Sequence, residues 1–168
     1  AESNGYAFDG DRPNAWHFRD FVIKALNSDM PYDEFVRLQI AGDLLADTSS
    51  KTDDQALSAV RNLAATGFLV AGPYTTQQTQ KERERSRYEQ LDDIVSTIGT
   101  SLLGLTVGCA RCHDHKRDPI PQEDYYRLLA FFQDVTNMND RMTRKVMDNV
   151  ESEKLKEELA RKEAHENE

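Results

Sequence analysis

The chain has only two cysteines among 168 residues, too few to fix a redox compartment by themselves. No run of about 18 apolar residues occurs, which excludes a membrane-spanning helix. No strand-like alternation of useful length and no internal repeat is present, so the periodic signal that remains is helical. Basic residues are in deficit: 21 Lys and Arg stand against 30 Asp and Glu, a net charge of −9. A general nucleic-acid binder needs a basic face to neutralise phosphates, so that class is excluded. Nothing near Ala1 has the basic, apolar and small-residue sections of a secretory signal, and the first residue is not methionine. A processed protein or a piece of a larger one is therefore expected. The length suits one domain with a real core, and the last fifth has the composition of an appendage.

Both cysteines fall in one stretch, Gly108-Cys109-Ala110-Arg111-Cys112-His113-Asp114-His115. The order Cys-x-x-Cys-His is the attachment pattern for covalent c-type haem. Cys109 and Cys112 are the expected anchors, each forming a thioether with a vinyl group, and His113 the expected proximal iron ligand. A tetrahedral zinc site, a thioredoxin-like dithiol and a structural disulfide compete with that reading. Cys-x-x-Cys-His-x-His is too cramped to close a four-ligand zinc cage. A dithiol motif would follow a strand, and none precedes Cys109. A disulfide across two residues closes too small a loop to stabilise much.

Helical spacing organises the rest. Asn14 is the expected N-cap of a first helix whose inner face is Phe18, Phe21, Val22, Ala25 and Leu26, with Trp16 a packing anchor. Pro31 suits the first position of a second, with Phe35, Leu38, Ile40, Ala41, Leu44 and Leu45 inward. A third is expected from about Asp53 to Ala65, with Leu57, Val60, Leu63 and Ala64 inward and Gly67 as its cap. Residues 68–79 read as a short apolar piece, a Gly72-Pro73 turn and a Thr/Gln-rich loop. A long helix from about Gln80 to Leu103 has a charged first half and an apolar second half bearing Tyr88, Leu91, Val95, Ile98 and Leu102. That half is expected to wall the haem edge, a large apolar surface. After Lys116-Arg117-Asp118-Pro119-Ile120-Pro121, Pro121 opens a helix with Tyr125, Leu128, Leu129 and Phe132 inward. The expected class is mainly α, an irregular domain of about five helices around a covalently bound haem over residues 1–135. Residues 136–168 are expected to form a charged helical linker or the start of a coiled coil.

Several segments resemble the planctomycete cytochrome c-like domain family DUF1549. They are Asn4-Gly5-Tyr6, Asp11-Arg12-Pro13-Asn14-Ala15-Trp16, Phe18-Arg19-Asp20, Met30-Pro31-Tyr32-Asp33, Ala41-Gly42-Asp43-Leu44-Leu45, Ala65-Thr66-Gly67-Phe68 and the block from Gly104 to Phe132. The resemblance covers about residues 1–135. It implies a domain carried within larger extracytoplasmic proteins, here without the family's usual N-terminal part, followed by a helical linker and further domains.

The opposite face of the iron decides what such a haem does. Candidate distal ligands are Met138, Met142 and His17, with Met30, Met147 and His165 the remaining options and His115 too close to His113 to reach across. Arg111, Lys116 and Arg117 are candidates to pair with the haem propionates. The leading expectation is a mono-haem c-type electron-transfer domain in a periplasmic or other extracytoplasmic setting, since covalent attachment takes place outside the cytoplasm. Its partner would be a redox protein or an adjoining domain of the same parent protein. Alternatives are a five-coordinate haem enzyme or ligand-binding domain using Asp114, His115 or Arg111 for proton transfer, and a module that haem or zinc merely staples.

Overall fold

The computed structural model describes residues 3–5, 10–46, 53–73 and 79–135. Met138, Met142, Met147, His165 and the charged segment 136–168 lie outside the described residues, as does most of the Thr/Gln-rich loop. Among the described residues there are five α-helices and no strand, only an isolated antiparallel bridge between Ser3 and Asp11. The described residues divide into two compact units: one runs from Pro13 to Phe68, and the other joins the described residues up to Arg12 with those between Leu69 and Val135. None of the described helices is long and apolar enough to cross a membrane.

The 13–68 unit consists of α1 (Trp16–Asn27), α2 (Tyr32–Ala41) and α3 (Asp53–Ala65), with α1 and α2 both packed on α3. Phe21, Ala25, Leu38 and Ala65 form its buried core, with Phe18, Val22, Met30, Phe35 and Ala64 packed around them. Phe21 and Phe35 stack with ring centroids 5.6 Å apart. The turn after α1 is a Schellman motif. Met30 N–H returns to Ala25 O and Asp29 N–H to Leu26 O, with Asp29 in the left-handed region at φ 53°. Met30 thereby joins the core.

Several inward positions read from spacing turn out to face solvent: Leu26, Leu44, Leu45 and Leu57 are exposed. The cause at α2 is its early end. The helix stops at Ala41, and the chain at Gly42 passes so close to α3 that a Cβ there would stand 2.1 Å from Asn62 O. Leu44 and Leu45 then belong to a turn outside the helical period. Ala15, not Asn14, occupies the N-cap of α1, and Pro31 is the N-cap of α2 rather than its first residue. Gly67 does not cap α3; it is buried within a 3-10 turn, Thr66–Val70, that continues the helix.

The second unit is built on α4 (Gln80–Thr97), against which α5 (Gln122–Phe131) and a 3-10 turn, Val107–Arg111, both pack. Its buried side chains include Leu91, Ile94, Val95, Ile98, Val107, Tyr125, Leu129 and Phe132, whereas Tyr88 is exposed. Glu82 accepts bonds from the backbone N–H and hydroxyl of Thr79, starting α4. The helix expected to Leu103 does reach that residue but changes its winding after Thr97: Ile98–Leu103 is a π turn. The Thr100 hydroxyl donates to Ser96 O and the Ser101 hydroxyl to Thr97 O, competing for carbonyls that a regular helix would use. Gly104, at φ 67°, then turns the chain back so that Leu105 N–H reaches Gly99 O at 2.9 Å. The N-terminal segment is clamped by Arg12, which donates to Asn4 Oδ1, Val70 O and Gly72 O.

Candidate functional site

The reversal at Gly104 delivers the chain into the Val107–Arg111 turn, and Cys112 continues it at φ −105°, ψ −27°. A 3-10 helix has three residues per turn, so side chains three apart eclipse one another. Two pairs use that rule. Val107 and Ala110 are buried on the inner side, while Cys109 and Cys112 are free thiols on the exposed side. The turn lies hard against α4: a Cβ on Gly108 would stand 2.5 Å from Ser96 Oγ.

His113 follows directly and is exposed. Its Nδ1 lies 2.7 Å from Asp114 O. A carbonyl only accepts, so Nδ1 carries the proton and Nε2 of the neutral ring keeps a free lone pair. This is the tautomer a metal-ligating histidine needs, with its second nitrogen oriented by a main-chain oxygen. Asp114 is itself held, since its Oδ1 accepts Gln122 N–H at 2.8 Å at the start of α5, where Pro121 has no capping side chain.

His115 has a different job. Its side chain is only 7% exposed. Nδ1 accepts from Asp118 N–H at 2.8 Å and Arg117 N–H at 3.3 Å, so the proton is on Nε2, which donates to Thr106 Oγ1 at 2.8 Å. Its own backbone N–H reaches Ile120 O at 2.9 Å. His115 fastens the 115–120 loop to the residue that opens the 3-10 turn.

Arg111 donates from one terminal nitrogen to Asp92 Oδ2 at 2.8 Å, and Tyr125 OH donates to the other oxygen of the same carboxylate. The Asp92 charge raises the Arg111 pKa above its ordinary value. Burial first, and the bond to Asp92 second, push the Tyr125 hydroxyl well above the ordinary tyrosine range. Gln122 Nε2 and Tyr126 OH both donate to Arg111 O at 3.0 Å. Of the three cations proposed from sequence, Arg111 is thus committed to α4, whereas Lys116 and Arg117 are exposed on the loop that His115 pins.

Cys109, Cys112 and His113 are brought together with Arg111, Lys116 and Arg117 in one short stretch. His17 belongs to the 13–68 unit, where its ring stacks on Trp16 at 3.7 Å. Sequence reading missed Asp92, Thr106 and Gln122. For Asp92 a signal existed: a carboxylate within an apolar helical stripe is costly unless bonded. For Thr106 and Gln122 there was none, because their roles depend on loop geometry.

Among the described residues no group of three or more His, Cys, Asp or Glu side chains gathers to hold a metal ion. Haem asks for less, since the porphyrin supplies four iron ligands and one imidazole completes that side. Two aligned free thiols and an imidazole with an available Nε2 are the donor set that haem c requires. In comparisons with known proteins, the family PSCyt2, described as a protein of unknown function (DUF1549), matches residues 1–137. No curated protein and no solved structure matches the chain.

Proposed function

The chain belongs to the PSCyt2 family of proteins of unknown function (DUF1549), and from that premise we propose that it is a mono-haem c-type cytochrome domain acting in extracytoplasmic electron transfer. The observation that carries the reading is the exposure of both free thiols, Cys109 within the 3-10 turn and Cys112 directly after it, beside an imidazole whose Nδ1 is already bonded.

Each thiol would add across a vinyl group, sulfur bonding to one carbon and hydrogen to the other, which needs no external oxidant. His113 Nε2 would ligate the haem iron. Asp114 O keeps that ring oriented, and the Asp114 carboxylate ties the same residue to α5. Once bound, the haem supplies a one-electron iron couple whose potential responds to ligands, burial and nearby charge. Met138, Met142 and His17 remain the proposed occupants of the opposite side, and Lys116 and Arg117 the proposed propionate partners. Covalent attachment outside the cytoplasm places the domain in a periplasmic or similar compartment. Its partner would be a redox protein or a neighbouring domain of the parent protein.

Proton-transfer catalysis has less support. Each of its candidate groups is engaged: Asp114 with the start of α5, His115 between Thr106 and Asp118, and Arg111 with Asp92. The test is to produce the full chain in cells competent for c-type maturation, denature it, and record the alkaline pyridine spectrum. A thioether-linked haem that survives denaturation, and is lost in Cys109→Ser/Cys112→Ser, is the expected result. Absence of covalent haem in the parent chain would overturn the proposal. A ferrous form unreactive toward carbon monoxide would favour electron transfer; ready binding would favour the five-coordinate alternative.

A further inference from the structure

Resting on the haem reading, we propose that Asp92 is a positioning residue of this site: through Arg111 it fixes the attachment turn on α4 and keeps the cation between the two cysteines neutralised. Asp92 follows buried Leu91 in the apolar half of α4 and lies three residues before buried Val95. A carboxylate in such a stripe is expensive unless both oxygens are used. Both are. Tyr125 of α5 donates to one, and Arg111 of the 3-10 turn donates to the other at 2.8 Å.

Arg111 is consequently held at both ends. Its side chain is tied to α4 through Asp92, and its carbonyl to α5 through Gln122 and Tyr126. The residue between the anchoring cysteines is therefore the point at which three elements meet. Electrostatics follows from the same contact. The side chains are 25% exposed at Asp92 and 47% at Arg111, so the pair is partly shielded from solvent screening. A lone guanidinium two residues before His113 would oppose the more positive, oxidised state of an iron held there; a paired one adds no net charge.

The decisive measurement is the reduction potential of the haem-loaded full chain by spectroelectrochemical titration. Asp92→Asn leaves the site one charge more positive and raises the potential, Arg111→Gln leaves it one charge more negative and lowers it, and the double variant returns close to the parent. Asp92→Glu, which retains the charge, stays near the parent as well. In the haem-free chain, amide exchange is expected to quicken over Val107–Arg111 in Asp92→Asn while α1 to α3 keep their protection. Potential shifts of the same sign in the two single variants, or no shift, would overturn the electrostatic role. Unchanged exchange in the turn would overturn the positioning role. A parent chain that takes up no haem would remove the haem reading, and exchange alone would then decide whether Asp92 fixes the turn.

Discussion

Gly99→Ala tests whether the π turn that follows α4 sets the position of the Val107–Arg111 turn by close backbone approach. In an open helix this exchange stabilises by roughly 0.5–1 kcal/mol, because glycine loses more chain entropy on folding. At position 99 the added methyl would stand 2.8 Å from Leu105 O and 2.8 Å from Val107 Cγ2. Carbon atoms rest comfortably at about 3.5–4.0 Å, so several tenths of an ångström must be found. Leu105 cannot yield freely, since its N–H is bonded to Gly99 O at 2.9 Å. Overpacking of this kind costs about 1–3 kcal/mol, which outweighs the helical gain and leaves a net loss of roughly 1–2 kcal/mol. For a unit of this size that corresponds to a fall in Tm of roughly 5–10 °C. Thermal melting by circular dichroism reads the loss, and faster amide exchange over Leu105–Cys109 locates it. Gly108→Ala is the control, because its obstacle is the tip of the Ser96 side chain, 2.5 Å away, with Ser96 Cβ at an ordinary 3.4 Å. Ser96→Ala should therefore restore Gly108→Ala and leave Gly99→Ala unrescued. A Gly99→Ala chain that melts at or above the parent temperature would refute the claim that contact with the π turn holds the Val107–Arg111 turn.

Asp29 occupies the left-handed region at the end of α1, so Asp29→Gly should stabilise the 13–68 unit by about 0.5–1 kcal/mol in denaturant titration. Asp93 has a raised pKa, first from burial and then from the charge of Asp92. The folded carboxyl holds its proton to higher pH than the unfolded one, so its contribution is present below the ordinary aspartate range and is lost as pH rises through the folded value. Asp93→Asn should accordingly stabilise the fold at neutral pH by less than about 1 kcal/mol given its solvent access, seen as a small rise in Tm, and change nothing below about pH 3. His115→Leu removes the bonds to Thr106 and Asp118, a loss of about 2–3 kcal/mol, read as vanished exchange protection at Asp118; Thr106→Val should cost less. Arg12→Leu abolishes three bonds to Asn4, Val70 and Gly72, so limited proteolysis should reach the first dozen residues while α4 and α5 stay intact.

Local chemistry was legible where it depends on neighbours in the chain. The Cys-x-x-Cys-His order puts Cys109, Cys112 and His113 side by side in the chain, and the proposed haem attachment rests on that order. Apolar periodicity placed α3 at Asp53–Ala65 and gave α5 its inward Tyr125, Leu129 and Phe132, and these agree with the structure. Spacing failed where a helix ended early, as at Gly42, or changed its winding, as after Thr97. Gly42 lies against a carbonyl of α3, and after Thr97 two hydroxyls bond to backbone carbonyls, contacts that spacing does not encode.

Sequence alone therefore determined the helical class, the lack of a membrane-spanning helix among the described residues and the identity of the three residues proposed to hold haem. The tertiary structure decided which way those residues face and what restrains them. Both thiols are exposed at the 3-10 turn and its end, Asp114 O selects the His113 tautomer, His115 fastens the loop, and Asp92 reaches Arg111 across 19 positions of chain. Such contacts leave no periodic trace, because they arise only once α4, the turn and α5 have packed against one another.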